Sequence, residues 1–282
     1  LSDYWGNPLH LGSRVTWSII CSCNHCSRCC SGFPQKCNSL FKYGHQQFKA
    51  SESLSGGFAQ YCVIKKGTPV YTVPDSVHST VAAPANCSMA TAASCVRQYS
   101  DYEGKSILVQ GGGLLGLMIC ALVKTKNPKE IILSDTNKQR LDLGVQFGAS
   151  RASCSSNNKN TTKLSSESKA FDVIFECSGS SQAMYEGLNQ INIGGHYILA
   201  GAVFPIKEKC LDPEIIIRKM VTLKGVHNYK AEDLATALQF LESSYQNYPY
   251  SKIIGKKFPL KHLNEAFIEA SKAHSLRTAI IY

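Results

Sequence analysis

The sequence has no apolar run approaching the ~20 residues that a membrane-spanning helix requires, and so no membrane partner is expected. No internal repeat is visible, so a stacked-repeat array is not expected. Basic residues outnumber acidic ones by 30 to 20, yet they form no block: the longest basic run is two residues. A basic nucleic-acid binder therefore has no motif behind it, and none is expected. The net charge of +10 reads instead as Lys scattered over solvated faces, a surface that would help to gather an anionic ligand. Charged residues are only 18% and apolar residues 44%, so 282 residues can bury a real core as one large domain or two ordinary ones.

Cysteine, by contrast, is abundant. There are thirteen, an odd number, and six fall between Cys21 and Cys37. A disulfide scaffold would be shorter and evenly paired. The distribution predicts a reduced, cytoplasmic protein with a metal lobe and ordinary buried thiols elsewhere. Within the cluster, Cys23, Cys26, Cys29 and Cys37 have the spacing C-x2-C-x2-C-x7-C. Two-residue spacers turn successive thiolates toward one point, and a fourth from across a loop completes a tetrahedron. Such an all-sulfur site has no open position and would be structural. Cys21 and Cys30 are left over, Cys30 because it adjoins Cys29.

The other organising stretch is a glycine turn. Residues 107–109 are a short apolar, β-forming run; Gly111, Gly113 and Gly116 follow, and Leu114 opens an apolar helical segment. Strand, glycine turn and helix are the context in which G-x-G-x-x-G acquires meaning. Gly111 permits the tight turn, Gly113 lets a pyrophosphate approach the backbone, and Gly116 lets the helix pack on the strand. The helix N-terminus, at Leu114 and Leu115, offers N–H groups and partial positive charge to phosphates. A second strand at 131–134 ends in Asp135, nineteen residues past Gly116, where a ribose-binding acid belongs. That carboxylate would favour NAD over NADP; Lys138 and Arg140 nearby work the other way.

Elsewhere, β-rich runs are expected near residues 15–20, 56–64 and 68–74. Pro84 begins a small-residue helix in which Cys87, on its own context, is a buried small hydrophobe. Residues 106–200 alternate strands and helices, interrupted by a polar stretch at 151–170 that reads as a surface loop. Residues 171–179 and 194–201 are strands ending in small residues, the kind of ends that form a dinucleotide crevice. A strand at 221–229, an amphipathic helix at 232–243 and a strand–helix–strand ending at Tyr282 complete the chain.

Taken together, these motifs resemble the zinc-containing medium-chain dehydrogenases, the alcohol dehydrogenase family. The markers are the four-cysteine lobe, residues 56–61, residues 84–87, the glycine turn with Asp135, residues 175–179 and residues 277–281. Residues 225–229 with 248–250 look like a branch associated with phosphonate catabolism. The resemblance implies an α/β fold: a doubly wound parallel Rossmann domain at 88–229, with a β-rich GroES-like catalytic domain made of 1–87 and a return at 230–282. It implies NAD as cofactor, a structural zinc, a catalytic zinc, and a homodimer or homotetramer acting on a small alcohol or polyol. Cys87 matches the third protein ligand of the catalytic zinc. Arg277, like Gly111, Gly113, Leu114, Leu115, Gly116, Asp135 and Arg140, is expected at the cofactor. The first ligand cysteine of that zinc and the Gly-His-Glu of the second match nothing from Leu1 onward. The expectation is an N-terminally incomplete sequence that is inactive as it stands, with a non-catalytic NAD- and zinc-binding protein as the alternative. A zinc-free quinone or enoyl reductase is disfavoured by the cysteine lobe and Cys87.

Overall fold

The computed structural model describes residues 1–47, 54–155, 170–205, 211–272 and 275–282. The chain divides into two compact units, one of residues 1–90 with 228–282 and one of residues 91–227.

The first unit is built from short strands and turns: β1 (Val15–Trp17), β2 (Ile20–Cys21), β3 (Phe41–Lys42) and β4 (Val70–Thr72). β1 pairs antiparallel with β4, and β2 with β3. Between β2 and β3 lies α1 (Ser27–Cys30), and after β4 come α2 (Ser79–Ala82) and a 3-10 turn at Ala83–Asn86. The helix α3 (Ser88–Val96) leads out of this unit.

The second unit carries the parallel sheet. Its strands are β5 (Ser106–Gln110), β6 (Glu130–Asp135), β7 (Arg151–Cys154), β8 (Phe171–Glu176), β9 (Ile191–Leu199) and β10 (Thr222–Gly225), in the order β10-β9-β8-β5-β6-β7. This is the doubly wound arrangement, and the order reverses between β5 and β8, where such sheets open a ligand crevice. The connecting helices are α4 (Leu114–Lys124), α5 (Lys138–Gln146), α6 (Ser181–Gln190) and α7 (Pro213–Arg218). α4 is buried along nearly its whole length, Leu117 to Cys120 completely, as the continuous apolar run demands. Each such buried aliphatic side chain contributes about 1.5–3 kcal/mol. On the sheet, Leu108, Ile132, Phe171, Ile174, Leu188, Ile191 and Tyr197 form one packed cluster. Asn137, Ser180 and Asp212 each cap the helix that follows with a side-chain oxygen.

The chain returns to the first unit through α8 (Ala231–Ser244), β11 (Ile254–Pro259), α9 (Leu263–Ser271) and β12 (Arg277–Ile281), with β11 and β12 parallel. α8 buries Leu234, Leu238 and Leu241 as its spacing requires. The Tyr71 hydroxyl ties β4 to this return by donating to the Ala231 carbonyl at 2.7 Å.

Two expectations need correction. The polar stretch from residue 151 is not all loop: Arg151–Cys154 pairs with β6 as an edge strand. Its polar side chains are mostly exposed, as an edge permits, so polarity alone concealed it. Residues 156–169 lie outside the described residues. Residues 56–64 form no strand either. Phe58, Tyr61 and Val63 are more than half exposed, and the β-rich composition there finds no strand partner among the described residues.

Candidate nucleotide crevice and metal lobe

β5 ends at the switch point and delivers the chain into the glycine turn. Gly111 has φ +105°, and its N–H donates to the Ser134 carbonyl at 2.7 Å. A Cβ there would also lie 2.9 Å from the Ser178 nitrogen, so the turn and the close approach both require glycine. A Cβ on Gly116 would stand 1.9 Å from the Gly111 carbonyl oxygen, because α4 packs directly on the turn. Gly113 differs: it is the N-cap of α4, with φ −70° and ψ 177°, and a Cβ on it would meet nothing within 4 Å. The first bond of the helical ladder runs from the Leu117 N–H to the Gly113 carbonyl. The N–H groups of Leu114, Leu115 and Gly116 therefore precede the ladder, beside open space, in the arrangement that suits an anion.

Asp135 closes β6. One carboxylate oxygen accepts the Gly112 N–H at 2.6 Å and the other the Asn137 N–H at 2.8 Å. The acid thus fixes the glycine turn as well as ending the strand. Arg140, in the first turn of α5, brings its guanidinium to 3.9 Å from the same carboxylate oxygen that holds Gly112.

In the first unit the sulfurs of Cys23, Cys26, Cys29 and Cys37 lie within 4.8 Å of one another. The separations are 3.4 Å for Cys37–Cys23, 3.5 Å for Cys26–Cys29 and 3.9 Å for Cys26–Cys37. A zinc–sulfur bond of about 2.3 Å gives a tetrahedron of edge about 3.8 Å, so the cluster has the size for one zinc ion. No pair is close enough for a disulfide. Backbone N–H groups also point at the sulfurs: Cys23 and Ser39 donate to Cys37 at 3.3 Å, and Cys26 to Cys23 at 3.4 Å. Backbone donors at Asn38 and Cys29 hold the Cys26 thiol down to about 6, a group prepared to be a thiolate. Cys21 and Cys30 face backbone carbonyls instead, at Lys66 and His25, and stand outside the cluster.

Cys87 is exposed at the end of the 3-10 turn, not buried. The turn is held from before and after. The Tyr229 hydroxyl donates to the Asn86 carbonyl and accepts the Ile19 N–H, and Asn86 Nδ2 donates to the Trp17 carbonyl at 3.1 Å. Arg277 donates to the Ser88 hydroxyl at 2.6 Å and to the Leu276 carbonyl at 2.7 Å. Among the described residues Cys87 belongs to no group of three or more metal-ligating side chains; the lobe is the one such group.

Comparison with known proteins agrees with this geometry. Residues 6–75 match the alcohol dehydrogenase GroES-like domain and residues 115–243 the zinc-binding dehydrogenase domain. L-threonine 3-dehydrogenase from Legionella pneumophila is 28% identical over 265 residues, covering 92% of this chain and 73% of that protein. The enzyme of the same name from Yersinia pestis is 28% identical over 264 residues, covering 92% and 72%. An alcohol dehydrogenase structure from Thermotoga maritima superposes with a TM-score of 0.90 at 25% identity, covering 99% of this chain and 78% of its own. A glycine turn on a doubly wound sheet, with a thiolate lobe in a β-rich unit, defines a zinc-binding dehydrogenase. The chain belongs to the zinc-containing medium-chain dehydrogenases and is an oxidoreductase of that class.

Reading the sequence missed three anchors. Glu176, Tyr229 and the α6 cap at Ser180 carry no spacing signature. Only the Ser-x-x-Ala start of α6, with a hydroxyl one residue before the helix, was available as a local sign.

Proposed function

We propose that this chain transfers hydride between NAD and a small alcohol or polyol, interconverting the alcohol with an aldehyde or ketone. The observation that carries the reading is the crevice: a glycine turn opening onto space at Gly113, with Asp135 at the adjacent strand end. Gly111, Gly113, Leu114, Leu115 and Gly116 would cradle the pyrophosphate, and Asp135 would accept from the adenosine ribose. Arg277 is assigned to the cofactor side on the resemblance, and Arg140 on its place beside Asp135. The relatives named for L-threonine make hydroxy-amino acids a substrate class to test beside polyols and hydroxy-phosphonates. The four lobe thiolates would hold a structural zinc, which supplies folding energy and no chemistry. The resemblance also assigns Cys87 to a catalytic zinc. The described residues add no ligand set around it, so no chemical step is routed through a metal at Cys87.

That last observation favours a second reading for these 282 residues: a dinucleotide- and zinc-binding protein without turnover. One experiment separates the two. The purified protein is titrated with NADH and NADPH by fluorescence, then assayed for NADH formation with L-threonine, polyols and hydroxy-phosphonates. Tight NADH binding with turnover supports the dehydrogenase; tight binding without turnover supports the second reading; no binding of either nucleotide removes both.

A further inference from the structure

We infer that Glu176 is a positioning residue for the nucleotide crevice, acting through one carboxylate oxygen that shapes the exit of β8. This rests on the reading of the glycine turn as a dinucleotide site. Glu176 is fully buried at the C-terminal end of β8, beside the switch point. Its Oε1 accepts three donors: the Ser178 N–H at 2.7 Å, the Ser178 hydroxyl at 2.7 Å and the Gly179 N–H at 2.6 Å. One oxygen thus bends residues 177–179 into a tight turn, with Gly179 at φ +71°.

That turn is what the phosphate loop leans on. The Ser178 nitrogen would lie 2.9 Å from a Cβ on Gly111, and the Gly179 nitrogen 2.5 Å from a Cβ on Gly201. The ends of β5, β8 and β9 therefore meet backbone to backbone, with no side chain between them to adjust the fit. Residues 177–179 thus back Gly111 from the β8 side, while the Ser134 carbonyl and Asp135 hold the turn from the β6 side, and from Gly111 the chain runs on to Gly113 and the N-terminus of α4. The second oxygen, Oε2, is buried without a hydrogen-bond partner. The task is therefore one of reach to Oε1, and an amide carbonyl of the same reach can perform it, whereas a shorter carboxylate cannot.

The test uses the full chain and two readouts, NADH affinity by fluorescence and thermal unfolding. Glu176→Gln keeps the reach and loses the charge; its NADH affinity should stay within about threefold of the parent. Glu176→Asp keeps the charge and loses a methylene; affinity should fall about tenfold at temperatures where the protein is still folded. Ser178→Ala removes one of the three donors and should weaken binding about threefold, which keeps the proposal testable should Glu176→Asp not fold. A residue that merely filled the core would lower the unfolding temperature and leave the affinity alone. The inference is overturned if folded Glu176→Asp binds NADH as tightly as the parent. It is also overturned if Glu176→Gln loses as much affinity as Glu176→Asp, since Oε2 would then be the working atom. Absence of NADH binding by the parent chain would instead remove the dinucleotide reading beneath it.

Discussion

The four lobe cysteines were legible in the sequence because metal ligation there is local: spacers of two residues suffice to converge three thiolates, and Cys37 arrives across one short loop. Their sulfur separations suit zinc. Cys23→Ser should lower the zinc content of purified protein below one ion per chain and loosen the lobe, as elemental analysis and unfolding would show. If all four single substitutions leave zinc unchanged, the assignment is wrong. Acid should act in the same direction. Zinc binds the lobe cysteines as thiolates, so protons compete with the metal and binding weakens as pH falls. Zinc available to a colorimetric chelator should rise as pH is lowered. Asp135 was legible as a strand-terminal acid, but its second duty was not, because the Gly112 N–H it holds is 23 residues away in sequence. NAD should bind more tightly than NADP, and Asp135→Ala should narrow that gap while weakening both, since the turn loses its charged acceptor. Equal or tighter NADP binding by the parent chain would remove the assignment. Glu176 lies within the marker at 175–179, but its role was not legible for a related reason: its partners are adjacent, while its consequence lies at Gly111 and Gly201.

Among the elements, those with continuous apolar runs were legible and those defined by their neighbours were not. β5, α4 and β6 are buried on all sides, so their composition announces them. β7 is polar and exposed, and only its pairing with β6 makes it a strand. Residues 56–64 have strand composition without a partner among the described residues. The strand–turn–helix element makes a sharper prediction, because its glycines do different work. Gly116→Ala would drive a methyl into the Gly111 carbonyl and should destabilise the protein by about 3 kcal/mol or more, or prevent folding. Gly113→Ala meets no neighbour and has an ordinary φ, so the unfolding temperature should hardly move. The same methyl occupies the space proposed for the pyrophosphate, so NADH affinity should fall at least about tenfold. Unfolding curves and NADH titrations on the two variants check both halves. If Gly113→Ala leaves affinity intact, the phosphates do not lie there.

Across the whole molecule, the two chemistries are divided between the two units. The thiolate lobe lies in residues 1–90, while the glycine turn, Asp135 and Glu176 lie within residues 91–227. A structural metal stabilises the part of the chain that it closes, because its binding energy is folding energy only for residues it orders. The lobe's ligands span residues 23–37, and the backbone groups that donate to their sulfurs, at Cys23, Cys26 and Ser39, belong to the first unit. Zinc removal should therefore separate the units thermodynamically. Dialysis against a strong chelator should lower the first unfolding transition seen by calorimetry and leave the NADH dissociation constant within about threefold. Zinc content before dialysis should be one ion per chain, and Cys87→Ala should not change it, because the lobe is the one group of three or more ligating side chains among the described residues. Two ions per chain, with one lost in Cys87→Ala, would mean that Cys87 recruits ligands outside that set. A nucleotide affinity that collapses with the metal would mean that the lobe supports the crevice directly.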